Sequence, residues 1–348
     1  MPSAEPNAGS APRQLPLIDL SSFLTPASSA SSRAAVAQEV HAACAKFGFL
    51  YITGLDSVVS RDEMNHALAE ARSFFLDTPE REKELLKIKG DGARGWQKLG
   101  ENVTQYKADH HEGLDLYRPV PNEDSTKLLH GPNQWPSSPP TFRSTMETWI
   151  EKMQVIGLAL MEATAMGLGM DMEGEEWAEL KGLVKESFWV MRCIGYPPLP
   201  ENAPGVSCGA HKDYGCWTLL HADSTPGALQ VFLQSPDGDS EENGARGTWL
   251  NADPIEGAFV VNVGEMWDVW TNGLYKATLH RVIHKGSNYR VSIPFFYEPN
   301  FDAVIKPLPS ALALQAKTSS SAASQAFAPS VVYGEFLAKK VSGNFAES

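Results

Sequence analysis

From residue 187 to residue 299 the chain is written in short runs of β-formers: SFWVMRCIGY, CWTLLHAD, ALQVFLQ, TWLNAD, AFVVNVG, ATLHRVIHKG and YRVSIPFFYEP. Turn signals separate them. Many short strands at close spacing point to an all-β barrel or sandwich.

The first half reads differently. LPLIDL (15–20) and FLYIT (49–53) are strand-like, but helical spacing dominates. SSRAAVAQEVHAACAKFG is closed by Gly48, and SRDEMNHALAEARSFF opens on a Ser60 cap. TPEREKELLKI carries Thr78 as a cap and Pro79 at the first helical position. Residues 90–140 are irregular, and TFRSTMETWIEKMQVIGLALMEATAMGLGM is the longest helix signal. Its Met146, Trp149, Ile150, Met153 and Leu160 recur near the helical period, as core residues do. The expected architecture is α+β: a double-stranded β-helix, or jelly-roll, core with an α-rich N-terminal half packed around it. The divisions are a tail at 1–14, the α-rich region at 15–180, the β core at 181–310, a Ser/Ala-rich loop at 311–330 and a closing helix at 331–348.

Charge and cysteine content narrow the function. With 42 acids against 29 bases the net charge is -13, which repels phosphate backbones, so no nucleic-acid partner is expected. Four cysteines, none in a CxxC pair, read as reduced thiols rather than a disulfide framework. No segment approaches the ~18 apolar residues of a membrane span, and MPSAEPNAGSAPRQ lacks the apolar stretch of a secretory signal. A cytoplasmic monomer is the expectation.

Several motifs mislead. GDGARG (90–95) matches GxGxxG but follows a charged helix and leads into a loop, so it is not a dinucleotide fingerprint. DHHEGLD (109–115) reads as an exposed polar loop, although Glu112 could face a substrate. In HRVIH (280–284) the two histidines stand on a strand pattern, ~13 Å apart, so at most one serves a given ion. Cys208 and Cys216 flank His211, but on a regular strand they would point to the opposite face from it.

HKDYGCWTLLHAD (211–223) contains His-x-Asp twice, His211/Asp213 and His221/Asp223. On a strand, residues i and i+2 share a face ~6.6 Å apart, so an imidazole and a carboxylate can converge on one ion. His280 offers a third ligand. Two histidines and one carboxylate on one side of a metal form the facial set of non-haem Fe(II) oxygenases. Ten residues beyond His280, Arg290 and Ser292 again stand at i and i+2, and the arginine fork suits a carboxylate. Parity alone does not separate the two His-x-Asp pairs.

With these motifs in hand, the chain resembles the Fe(II)/2-oxoglutarate-dependent dioxygenase superfamily, in its isopenicillin-N-synthase-like branch and closest to fungal members acting on small molecules. AKFGFLYITG, RGW…GE (94–101), YPP (196–198), HKDYGCWTLL, NVGEMWDVWTNGLYKATLHRV, YRVSIPFFYEPNFDAVIKPLP and YGEFL carry the likeness. The resemblance implies that His211, Asp213 and His280 bind Fe(II), leaving His221 a satisfied strand histidine. It implies that Arg290, Ser292 and Tyr196 hold 2-oxoglutarate, and that O2 is the co-substrate. Ile194 stands where the family has Asn, which removes an amide from that neighbourhood. Lys212, by alternation, points away from the metal. The implied activity is oxidation, typically hydroxylation, of a small molecule with 2-oxoglutarate decarboxylated to succinate and CO2. Arg94, Glu112, Tyr117, Trp217, Met266 and Phe296 are candidate substrate contacts, and a nitrogen heterocycle or secondary metabolite would fit. An oxidase of the same fold that needs no 2-oxoglutarate, a non-catalytic metal-binding barrel and a zinc hydrolase are the rivals.

Overall fold

A computed structural model describes residues 14–104, 107–200, 206–318 and 328–343. Strands are Leu17–Asp19 (β1), Phe49–Thr53 (β2), Gly95–Gln97 (β3), Val103–Thr104 (β4), Lys107–Ala108 (β5), Glu112–Tyr117 (β6), Val190–Tyr196 (β7), Cys208–His211 (β8) and Trp217–Ala222 (β9). They continue as Leu229–Gln234 (β10), Ser240–Glu242 (β11), Ala245–Asn251 (β12), Phe259–Val263 (β13), His280–Val282 (β14), Arg290–Tyr297 (β15), Val304–Ile305 (β16) and Val331–Val332 (β17). Helices are Ser21–Leu24 (α1), Ala30–Lys46 (α2), Arg61–Asp77 (α3), Glu80–Lys83 (α4), Phe142–Gly167 (α5), Glu175–Val184 (α6), Glu265–Trp270 (α7), Pro309–Thr318 (α8) and Tyr333–Gly343 (α9).

A major sheet of eight strands runs β1-β2-β13-β9-β15-β7-β6-β3, and a minor sheet of five runs β11-β12-β10-β14-β8. Every pair in them is antiparallel except β1 with β2. This is the double-stranded β-helix, and strand alternation sorts its side chains. Ile194, Tyr196 and Val260 of the major sheet join Val231, Leu233 and Val282 of the minor sheet in one buried apolar set, so it fills the space between the sheets. Their odd-even neighbours Cys193, Leu219, Val261, Ile293 and Phe295 lie on the other face, in a second core shared with the helices.

Helix α5 supplies much of that second core: Met146, Trp149, Ile150, Met153 and Leu160 are all buried. At Gly157 a Cβ would come 2.5 Å from the Tyr297 ring, so the helix approaches β15 more closely than alanine permits. Burial of side chains of this size contributes ~1.5–3 kcal/mol each. Helix α3 starts with the full capping box of Ser60 and Glu63. After α2, Gly48 takes φ +62 and turns the chain into β2.

Three expectations fail. The helix expected from Thr78 is only the four residues of α4 followed by a short 3-10 turn; Pro79 occupies the cap, and the Thr78 hydroxyl donates instead to the Ser138 carbonyl. The 90–140 region is not merely irregular, because β6 within it is an interior strand of the major sheet. The Ser/Ala-rich segment begins as helix α8, for ALALQAK is made of good helix formers; its residues 319–327 lie outside the described residues.

Candidate active site

The strand holding His211 stops there. Residues 212–216 turn, and β9 starts at Trp217. His211 is thus the last residue of β8, directly opposite His280 of β14, and their ring centroids are 4.3 Å apart. Asp213 rides on the turn and reaches the same point: its Oδ1 is 3.5 Å from His211 Nε2 and 3.6 Å from His280 Nε2. The three potential ligand atoms all lie within 4.8 Å of one another.

Each of the three is oriented from behind. His211 Nδ1 donates to the Gly209 carbonyl at 2.8 Å and His280 Nδ1 to the Thr278 carbonyl at 3.1 Å, which turns both Nε2 atoms toward the common point. Asp213 Oδ2 accepts from Thr218 Oγ1 at 2.5 Å and from Asn262 Nδ2 at 2.6 Å, leaving Oδ1 to face the histidines. Thr218 and Asn262 belong to the major sheet, His211 and His280 to the minor one. Burial holds His280 down to about 4 against the pull of Asp213. At His211 burial also opposes protonation, but Cys208 and Asp213 outweigh it and raise the imidazole to about 10. Asp213 resists burial and stays below the usual carboxylate range because both histidines and its two donors stabilise its charge. Two imidazole nitrogens and one carboxylate oxygen, pre-aimed from one side, suit a divalent iron ion.

The second His-x-Asp pair is elsewhere. His221 points out of the other face of the major sheet, between Trp149 and Phe259, with Nε2 donating to the Met64 carbonyl at 3.0 Å. Burial lowers it to about 4. Asp223 accepts from Arg72 and from the Val291 amide. His284 is buried and donates to the Asn288 carbonyl.

Arg290 and Ser292 lie on the inner face of β15, opposite Tyr196 and Ile194 of β7. The guanidinium is 2% exposed and sits 4.8 Å over the Tyr196 ring, yet its Nε and Nη1 have no hydrogen-bond partner among the described residues. A buried cation with unmatched donors is costly unless an anion completes it. The Ser292 and Tyr196 hydroxyls are linked, and burial pushes Tyr196 up to about 12, so it is a neutral donor. Arg290 also borders a cavity of about 520 Å³ walled by Leu220, Leu229 and Val260. Ile194 packs in the apolar set between the sheets; the amide beside the trio is Asn262's.

A further cavity, of about 480 Å³, opens beside His211 and Asp213. Of the six candidate substrate contacts, Tyr117 and Phe296 line it. The other four do not. Arg94 is fully buried, bonded to Asp91 and to the Arg118 carbonyl. Glu112 is tied to Lys83, Trp96 and Tyr289. Trp217 and Met266 are in the helix-side core. The cavity wall instead includes Asp109, His111, Asp115, Arg192 and Glu298. Arg192 shares strand parity with Ile194 and Tyr196, a signal the sequence carried; Asp109 and His111 sit in the supposed exposed loop and are 2% and 1% exposed. Lys212 is exposed but lies at this cavity's edge, because the turn breaks the alternation that would have sent it away.

Comparison with known proteins agrees with this geometry. Residues 185–299 match the family model described as 2OG-Fe(II) oxygenase superfamily, and residues 15–138 match that of the non-haem dioxygenase in morphine synthesis N-terminal region. The chain is 37% identical to a homoarginine-6-hydroxylase of Arabidopsis thaliana, over 96% of this chain and 98% of that one. It is 32% identical to a 2-oxoglutarate-dependent dioxygenase of Aspergillus niger, over 83% and 86% of the two chains. Among solved structures, a full-length Neurospora crassa protein in complex with alpha-KG and thymine superposes with a TM-score of 0.77 at 25% identity, covering 95% of this chain and 97% of that one.

Proposed function

The chain belongs to the 2OG-Fe(II) oxygenase superfamily, and from that premise we propose which residues perform its chemistry and on what substrate. It is a 2-oxoglutarate-dependent dioxygenase: Fe(II) and 2-oxoglutarate are its cofactors, O2 is the co-substrate, and a small molecule is oxidised while 2-oxoglutarate becomes succinate and CO2.

In this reading His211, Asp213 and His280 hold the iron through Nε2, Oδ1 and Nε2. Arg290 receives the distal carboxylate of 2-oxoglutarate on its two unmatched donors, with Ser292 and Tyr196 adding hydroxyl contacts. Bound iron supplies the oxygen chemistry; the protein fixes the distance between the two ends of the keto acid and shields the site from water. The observation that carries the reading is the convergence of the three ligand atoms on one point, together with a buried arginine whose Nε and Nη1 have no hydrogen-bond partner among the described residues.

For the substrate, we favour a small amino acid with a guanidinium or amine end over a nitrogen heterocycle. The relative at 37% identity is a homoarginine hydroxylase, and the cavity is lined by the acids Glu101, Asp109, Asp115, Glu265 and Glu298, of which Asp115 pairs with Arg192, Glu265 pairs with Lys340, and Glu298 is pushed up to about 8 by burial. A heterocycle is the second reading, supported by Phe296 and Tyr117 as apolar walls and by the thymine in the Neurospora crassa complex. A monomer in a cytoplasmic setting completes the reading, and the four free thiols suit such a setting.

The test is succinate release with Fe(II), 2-oxoglutarate and O2, comparing homoarginine, arginine, lysine and thymine. Substrate-dependent succinate that disappears in Asp213→Ala supports the assignment. Turnover that survives loss of Asp213 or His280 overturns it.

A further inference from the structure

A second group of potential ligands stands in the wall of the 480 Å³ cavity: Asp109, His111 and Cys208, whose ligand atoms also lie within 4.8 Å of one another. The group is assembled from two chain segments, the run before β6 and the start of β8. His111 Nδ1 donates to the Ser207 carbonyl at 2.7 Å, which fixes the ring and turns Nε2 away from the backbone. That Nε2 is buried and has no hydrogen-bond partner among the described residues, in a side chain 1% exposed. Unpartnered buried polar atoms are rare in native folds, and each one calls for an explanation. Asp109 is held too: its Oδ1 accepts from the Gly209 amide at 2.8 Å and its Oδ2 from Thr104 Oγ1 at 2.6 Å, each leaving a lone pair. The Cys208 thiol is half-buried.

We propose that Asp109, His111 and Cys208 form a second metal site, distinct from the iron trio, for a borderline divalent cation of the Zn2+ class. Sulfur, imidazole nitrogen and carboxylate oxygen are the donors that zinc takes, and a thiolate discriminates against Mg2+ and Ca2+. Zinc bonds of ~2.0–2.3 Å require ligand atoms about 3.5 Å apart. Asp109, His111 and Cys208 therefore need to close by about 1.3 Å at most, as do His211, Asp213 and His280, which satisfy the same 4.8 Å limit. The fourth position faces the cavity and is left for water or substrate. A metal there displaces the thiol proton and narrows the space beside the iron trio.

Co2+ is the probe, because a thiolate ligand gives a near-ultraviolet charge-transfer band that a site of two histidines and one aspartate does not. Metal-free full-length protein titrated with Co2+ is expected to develop that band and to bind a second equivalent of the ion. Cys208→Ser and His111→Ala should each abolish the band and the second equivalent, while His280→Ala, which disables the iron trio, should leave the band in place. Absence of the band in the wild-type protein overturns the proposal. So does its loss in the folded His280→Ala variant, since Cys208 would then be joining the iron trio rather than a site of its own. Circular dichroism of each variant separates misfolding from loss of a ligand.

Discussion

Asn262 Nδ2 donates to Asp213 Oδ2 at 2.6 Å, and this bond joins a strand of the major sheet to a turn leaving the minor one. With Thr218 it locks the carboxylate so that only Oδ1 faces the histidines. Supporting partners of this kind are worth about 10–100-fold in metal affinity. Asn262→Ala is therefore expected to weaken Fe(II) binding by that factor while turnover at saturating iron falls much less. Iron titrations of activity and of tryptophan fluorescence check this; unchanged affinity would count against the assigned role of Asp213.

Arg290 is the anchor expected for the keto acid. Removing one partner of a buried charge pair costs about 2–5 kcal/mol, so Arg290→Gln should raise the KM for 2-oxoglutarate by roughly thirtyfold or more. Iron affinity, set by other residues, should be nearly unchanged. Equal loss of both would mean that the arginine is structural.

The buried Asp91–Arg94 pair makes the opposite prediction. Arg94 Nη1 is 3.0 Å from Asp91 Oδ2, and Asp91 also receives the amides of Ala93, Arg94 and Gly131. Arg94→Met leaves Asp91 uncompensated and is expected to destabilise the protein by about 3–5 kcal/mol. The KM values of the folded fraction should not move. Urea unfolding beside steady-state kinetics tests this.

Burial lowers His221 to about 4 and His111 to about 3. Both therefore stay neutral in the folded state while their unfolded counterparts protonate near ~6.5. Between these values the unfolded chain binds more protons, so stability falls as pH drops from about 6.5 towards about 4. Thermal melts across that window should show the loss, and His221→Asn should flatten it. A melting temperature independent of pH there would contradict the burial of these rings.

The sequence carried the β core well because each strand alternates between two buried faces and the turn residues punctuate it. It carried Arg290 and Ser292 for the same reason, as same-face neighbours on one unbroken strand. Parity failed where the backbone leaves the strand. A register shift between β8 and β14 accompanies the approach of Cys208 Sγ to 3.8 Å from His211 Nδ1, although regular alternation separates them. Asp109 and His111 were illegible for another reason. A polar run with no period looks like a solvated loop, and only its pairing beside a central strand shows that it is interior.

Because two of the three iron-facing residues hang from one sheet and the third is tethered to the other, an ion seated there would rivet the halves of the sandwich. Its departure would then do more than stop turnover. The emptied protein should breathe along that seam, so that proteases, heat and chelators act as accomplices, and the working life of each molecule is set by how long it keeps its metal.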